Sequence, residues 1–167
     1  MTKSGGEDVK TRISFPLVTF FLIITTIVLF CIPPATLEAK TKGRRWGLVV
    51  GINTYMYDVT PLQCAVSDAE AFRQALIDAA DFDVDDIFLL TSTQKGSRMP
   101  TKVNIIKWIS YIKEKANPED TFVLFFSGHG MDMDRESYLI TYDADPSTKE
   151  TLDISSLKVA DLKKMGF

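Results

Sequence analysis

Three runs of consecutive apolar residues alternate with stretches in which apolar positions recur every three or four residues. The strongest run is Phe122, Val123, Leu124, Phe125 and Phe126, which leads without a break into Ser127, Gly128, His129 and Gly130. Aromatic and β-branched, and too short for a free-standing helix, it predicts a strand buried on both faces over 121–127. Residues 46–52 and 85–91 predict a first and a second strand in the same way, and 138–142 a fourth. Between them, Ala65, Ala69, Phe72, Leu76 and Ala79 mark one helical face. Thr60 and Pro61 offer a start for this helix, with Gln63 placed to complete a capping box. Val103, Ile106, Ile109 and Ile112, with Ile105 and Trp108, mark a second helix, which Thr101 caps and Asn117-Pro118 ends. Residues 94–100 and the acidic stretch 131–136 are loops. A third helix is predicted over 154–167, with Ser155 or Ser156 as cap and Leu157, Ala160, Leu162 and Met165 as its apolar stripe.

Helices placed between strands imply right-handed crossovers. The predicted fold is α/β, a doubly wound and mostly parallel sheet with helices on both faces. It is incomplete at the C-terminal side, because the third helix leads into no further strand. In such sheets chemistry gathers where strands end, and a histidine between two glycines at that place is well set to face a substrate. A plain loop histidine in a glycine turn is the alternative.

A different pattern precedes the domain. Residues 13–32 are 20 positions without a charge, long enough to cross a bilayer as a helix. Residues 1–42 therefore read as a signal peptide or membrane anchor with its linker, and 43–167 as the globular domain. The apolar run is long for a secretory core. Pro33-Pro34 would stop a helix, and Leu37, Glu38 and Ala39 offer an imperfect cleavage site. Basic residues flank the segment on both sides, so they do not set its orientation. Bulky Phe30 before Cys31 argues against lipidation of that cysteine. The domain is expected outside the cytoplasm, secreted, periplasmic or membrane-anchored.

Composition adds little to this picture. The chain has 167 residues, 46% hydrophobic and 25% charged, with a net charge of −3. No basic stripe suggests nucleic acid. The two cysteines, Cys31 and Cys64, make no disulfide framework. Asp132, Asp134 and Glu136 mimic the opening of a calcium loop, but Ser137 stands where the sharp turn needs glycine, so an EF-hand is rejected. A looser calcium site stays open, and no other cofactor is expected. Asp68 falls in the early turns of the first helix, where a carboxylate gains from the helix dipole without any functional role.

Four segments together resemble the caspase-like cysteine peptidases, the caspases and metacaspases: 46–53 (WGLVVGIN), 62–69 (LQCAVSDA), 125–130 (FFSGHG) and 138–144 (YLITYDA). The resemblance runs from about residue 45 to 167. It implies an endopeptidase working through a Cys-His dyad on polypeptide substrates, with His129 as the catalytic histidine and Gly130 as a backbone donor to the oxyanion. It also implies that Asp68 lines a substrate pocket for a basic side chain, giving cleavage after Arg or Lys. The family's nucleophilic cysteine should lie roughly 50 residues beyond the histidine. Only 37 residues follow Gly130, and none is cysteine. Cys64 falls at a small-residue position and reads as a half-buried packing residue. Ser127 shares a strand with His129 but has nothing to pair it as a nucleophile. The chain is thus expected to carry the histidine half of the site and to be inactive alone. A catalytically inactive interaction module with the same fold is the alternative, and a flavodoxin-like binding domain lacks its phosphate-cradling loop.

Overall fold

The computed structural model describes residues 43–165, within a compact unit spanning 41–167. The apolar segment 13–32, and every expectation attached to it, lies outside the described residues. Strand β1 (Arg45–Gly51) is the centre of a parallel three-stranded sheet, between β2 (Ile87–Thr91) and β3 (Thr121–Ser127). Its residues after Arg45 are all buried. Alternation along the strand sends side chains to opposite faces. Leu48, Val50 and Ile52 pack with Ile105, Ile109 and Ile112 of helix α2 (Lys102–Lys115). Val49, with Ile87 of β2, packs with Ala69 and Leu76 of helix α1 (Ala65–Ala80). The two helices therefore cover opposite faces, as the crossover rule requires.

Aromatic stacking extends the two layers outward. Phe72 of α1 lies 4.1 Å from Phe125 of β3, and Trp108 of α2 lies 4.2 Å from Phe88 of β2. At the end of the sheet where β1 begins, Arg44 makes a bidentate pair with buried Asp86 (2.5 Å for each bond), while Asp120 accepts the Trp46 indole N–H at 3.0 Å. That end is fixed by polar contacts, which leaves the C-terminal ends of the strands as the place for loops.

Beyond β3 the architecture changes. The acidic stretch expected to be a loop is a hairpin: β4 (Gly130–Met133) and β5 (Glu136–Leu139) pair antiparallel through a two-residue turn. Asp134 and Arg135 both take positive φ, 51° and 69°, as the tightest hairpin turns demand. The alternation Met131, Asp132, Met133 was a strand signal beneath the acidic charges, since both methionines pack against the cluster around buried Tyr138. The expected fourth strand over 138–142 accordingly starts and ends earlier, and it belongs to this second sheet rather than to the parallel one.

The third helix is also different from the expected one. A short helix α3 (Lys149–Ser155) is capped by Thr148, whose hydroxyl and that of Thr151 bond reciprocally across the first turn. Ser155 and Ser156 end this helix instead of starting one. Leu157–Lys158 then forms strand β6, paired antiparallel with β5, before helix α4 (Val159–Lys164). A helical stripe misleads here because Leu157 is drawn into the core on the α2 side of the parallel sheet, and the backbone reaches it as a strand.

Candidate active site

The register of the parallel sheet brings three strand ends together. Gly51 pairs with both Thr91 and Ser127, so β1, β2 and β3 finish at one level. Segment 52–64 folds over this edge before α1 begins. Ile52 N–H donates to the Ser127 carbonyl at 3.0 Å, and Leu62 N–H donates to the Asn53 carbonyl at 2.8 Å. The expected start of α1 at Thr60-Pro61 is not observed. The helix begins at Ala65, and Cys64 at its cap position makes no side-chain capping bond. Asn53 does that work from outside the helix. Its Oδ1 accepts the Val66 N–H at 3.1 Å, and its Nδ2 donates to the Gln63 carbonyl at 3.1 Å, satisfying an otherwise orphaned helix donor. Gly51 is required beneath this helix start, because a Cβ there would lie 2.6 Å from the Ala65 carbonyl oxygen.

His129 stands at the exit of β3, and three neighbours define its position. Its Nε2 lies 2.8 Å from the Thr60 carbonyl oxygen. A carbonyl only accepts, so Nε2 is the donor in this contact, and the neutral ring held this way has its lone pair on Nδ1. Its backbone N–H donates to the Tyr55 hydroxyl at 2.9 Å, and its carbonyl accepts the Ile140 N–H at 2.9 Å. The Tyr55 and His129 rings lie 5.5 Å apart at a 40° tilt. Burial raises the Tyr55 phenol above its ordinary pKa, opposed by the bond from the His129 backbone, so the group remains a hydroxyl at neutral pH.

Gly130 follows in β4, opposite Leu139. The preceding pair, His129 and Ile140, is hydrogen-bonded, and antiparallel ladders alternate bonded with unbonded pairs. The Gly130 N–H is thereby turned away from β5, toward the side on which the strand is exposed. Gly128 has little room: a Cβ there would lie 2.9 Å from the Phe126 ring and 3.3 Å from the Tyr55 hydroxyl.

Asp68 lies in the first turn of α1. Its carboxylate accepts from the Ser127 hydroxyl at 3.5 Å, so the structure brings Asp68 to the end of β3. The same contact directs the Ser127 hydroxyl to Asp68. The expected half-buried, packing role of Cys64 is incorrect, because its side chain is exposed at the start of α1. A residue ahead of the first helical turn faces no layer of the core. His129 bonds with Tyr55, Thr60 and Ile140, and none of these partners is a thiol. Among the described residues no three His, Cys, Asp or Glu side chains are grouped to hold a metal ion. Asp132 instead accepts from the Ser137 hydroxyl at 2.6 Å along the hairpin.

Sequence reasoning missed Asn53, Tyr55 and Thr60. A short amide directly after a buried strand was a usable signal for Asn53. Thr60 acts through its backbone carbonyl, which no residue type announces.

The metacaspase, peptidase C14 domain matches residues 45–154. This chain belongs to the metacaspase family. Metacaspase-1 of Scheffersomyces stipitis is 36% identical over 93 residues, covering 55% of this chain and 23% of that protein. Metacaspase-1 of Saccharomyces cerevisiae is 33% identical over 93 residues, covering 55% of this chain and 21% of that protein. Metacaspase-3 of Arabidopsis thaliana is 34% identical over 89 residues, covering 53% of this chain and 24% of that protein. The chain thus matches less than a quarter of the length of these metacaspases.

Proposed function

We propose that this metacaspase domain is the histidine-bearing part of a cysteine endopeptidase site, and that it needs a thiol from outside these 167 residues to cleave peptides. The observation that carries this reading is His129 with its Nε2–H directed to the Thr60 carbonyl at 2.8 Å, an orientation in which Nδ1 of the neutral ring is the nitrogen able to accept a proton. In the proposed reaction Nδ1 takes the proton of a cysteine thiol. The thiolate attacks the scissile carbonyl, and the imidazolium returns the proton to the leaving amine. The Gly130 N–H donates to the developing oxyanion, a contribution of about 3 kcal/mol where such donors have been removed from other enzymes. Asp68 receives the basic side chain before the cut, giving cleavage after Arg or Lys. The edge position of β3, whose apolar residues are only partly covered, supports a further strand at that edge as the source of the thiol. Residues 13–32 direct the domain to or across a membrane, and calcium activation is part of the same reading.

The test uses peptide reporters ending in Arg, Lys or Asp, with and without calcium. The 167-residue chain alone should give no turnover. Turnover that disappears on His129→Ala would overturn the claim that the nucleophile comes from elsewhere. If a Cys-bearing C-terminal segment supplied in trans restores Arg and Lys cleavage, Asp68→Ala should remove that preference while leaving the thiol reactive.

A further inference from the structure

The antiparallel ladder that begins at Gly130 is broken at the residue before it. Directly opposed residues of the bonded type exchange two hydrogen bonds, yet His129 and Ile140 share one. Ile140 N–H donates to the His129 carbonyl at 2.9 Å, whereas the His129 N–H turns to the Tyr55 hydroxyl at 2.9 Å. A side chain thus replaces a backbone acceptor at the one histidine of the chain.

Three further contacts make Tyr55 part of a frame around that histidine. Its hydroxyl lies 3.4 Å from the Ile52 carbonyl, at the end of the central strand. Its ring lies 5.5 Å from the imidazole. Five residues later the same segment presents the Thr60 carbonyl to Nε2 at 2.8 Å. The segment is itself tied down, since Met56 N–H donates to the Tyr142 carbonyl at 2.8 Å and Leu62 N–H to the Asn53 carbonyl at 2.8 Å. Holding the backbone N–H, the ring face and one ring nitrogen of a single residue leaves it little rotational freedom.

We propose that Tyr55 is a positioning residue for His129. Its hydroxyl captures the backbone N–H and its ring bounds the imidazole, so that Nε2 meets the Thr60 carbonyl and the neutral ring favours the Nε2–H tautomer, with its lone pair on Nδ1. This rests on the peptidase reading of His129, but its test does not depend on proteolysis. Tyr55 touches no substrate in this assignment and acts through the histidine.

Because His129 is the only histidine, nitrogen-detected NMR of the imidazole reads this site without ambiguity in the full 167-residue chain. The wild-type neutral ring should be a single Nε2–H tautomer. Tyr55→Phe keeps the ring and removes the acceptor. It should speed exchange of the His129 amide by about tenfold and bring in the Nδ1–H tautomer, with exchange at Ile140 and along β1 unchanged. Tyr55→Leu removes the ring as well and should give greater tautomer mixing, with a lower thermal midpoint because the ring packs against two core clusters. Unchanged exchange and tautomer in Tyr55→Phe would overturn the proposal. Equal acceleration at His129, Ile140 and β1 would overturn it too, by reducing Tyr55 to a general stabiliser. Failure of the reporter assay alongside the expected NMR result would fault the peptidase function and leave the positioning role standing.

Discussion

The two sheets of this domain are held together by different physics, and His129 lies at their junction. Around β1 the parallel sheet is dry: Leu48, Val49, Val50 and Ile52 are wholly buried between two helices. The second sheet is small, and around its apolar cluster of Tyr138, Ile140 and Leu152 it is bound by many polar contacts. Asp153 of α3 accepts from Lys158 of β6 at 2.8 Å and from Lys149 at 3.1 Å, as well as from the Tyr138 hydroxyl. Lys102 of α2 donates to the Ile154 carbonyl at 2.9 Å, and Asp143 accepts the Lys102 backbone N–H at 2.9 Å. Apolar packing tolerates little displacement, whereas a network of exposed and half-buried charges loosens locally. The histidine turn placed between them has one rigid wall and one that responds to solution conditions.

This contrast can be broken first in the dry sheet. Leu48→Ala should destabilise the domain by about 2–5 kcal/mol, seen in urea unfolding as one transition shared by both sheets. Loss confined to β1–β3, with Tyr138 still buried by fluorescence, would show the second sheet to be independent. A smaller effect is expected where helix meets strand. Gly51→Val pushes a side chain against the Ala65 carbonyl and the Ala69 Cβ, 2.6 and 2.7 Å from the added Cβ, at a cost of about 1–3 kcal/mol. Because α1 must shift, the Thr60 contact of His129 should weaken with it, read from the imidazole nitrogen shifts.

The polar sheet should respond to acid. Its contacts to Lys158, Tyr138 and Lys149 hold the Asp153 carboxyl well below the usual carboxylate range. A depressed native pKa means that the stabilisation is complete above the unfolded value and is lost as pH falls through the native one. Protection of β5, β6 and α3 amides should therefore decline below about pH 4, with β1–β3 amides retained. The lysines give the opposite limb. Asp153 raises the pKa of Lys158 and Lys149, so their share is present below the unfolded lysine value and is lost as pH rises through the native one. Asp153→Asn should abolish the acid response, and an unaltered acid response would assign it to another carboxylate.

The smallest difference compares two helix caps. Thr101 accepts from Asn104 N–H at 3.2 Å and Thr148 from Thr151 N–H at 3.1 Å, so either change to alanine should cost about 1 kcal/mol. Thr101→Ala should lower the global midpoint, because α2 covers the parallel sheet. Thr148→Ala should fray α3 alone. Equal global shifts would mean that α3 opens only when the whole domain unfolds.

Much of the first region was legible in the residues. The uninterrupted apolar run Phe122–Phe126 announced a strand but not its place, since β3 lies at the sheet edge and its side chains are only partly buried, and the three-and-four spacing of Ala65, Ala69, Phe72 and Leu76 announced α1. Those patterns follow from side-chain periodicity, a local property. The second region misled the same logic. Met131 and Met133 alternated correctly, but acidic neighbours disguised them, and Leu157 fell on a helical stripe although it is a strand residue pulled into a shared core. Short elements with few apolar positions take their form from what they pack against, so their local pattern is weak.

The histidine turn divides along the same line. The sequence alone determined that His129 follows a buried strand between two glycines, that Asp68 opens the first helix, and that no cysteine follows the histidine within these residues. The tertiary structure alone decided which imidazole nitrogen holds the proton, since that depends on the Thr60 carbonyl, 69 residues away in the chain. It also brought the Tyr55 hydroxyl to the His129 backbone, the Asn53 amide to the start of α1, and Asp68 to Ser127. Each of these is a contact between segments distant in sequence, and each depends on strand register and loop path, which side-chain periodicity does not encode.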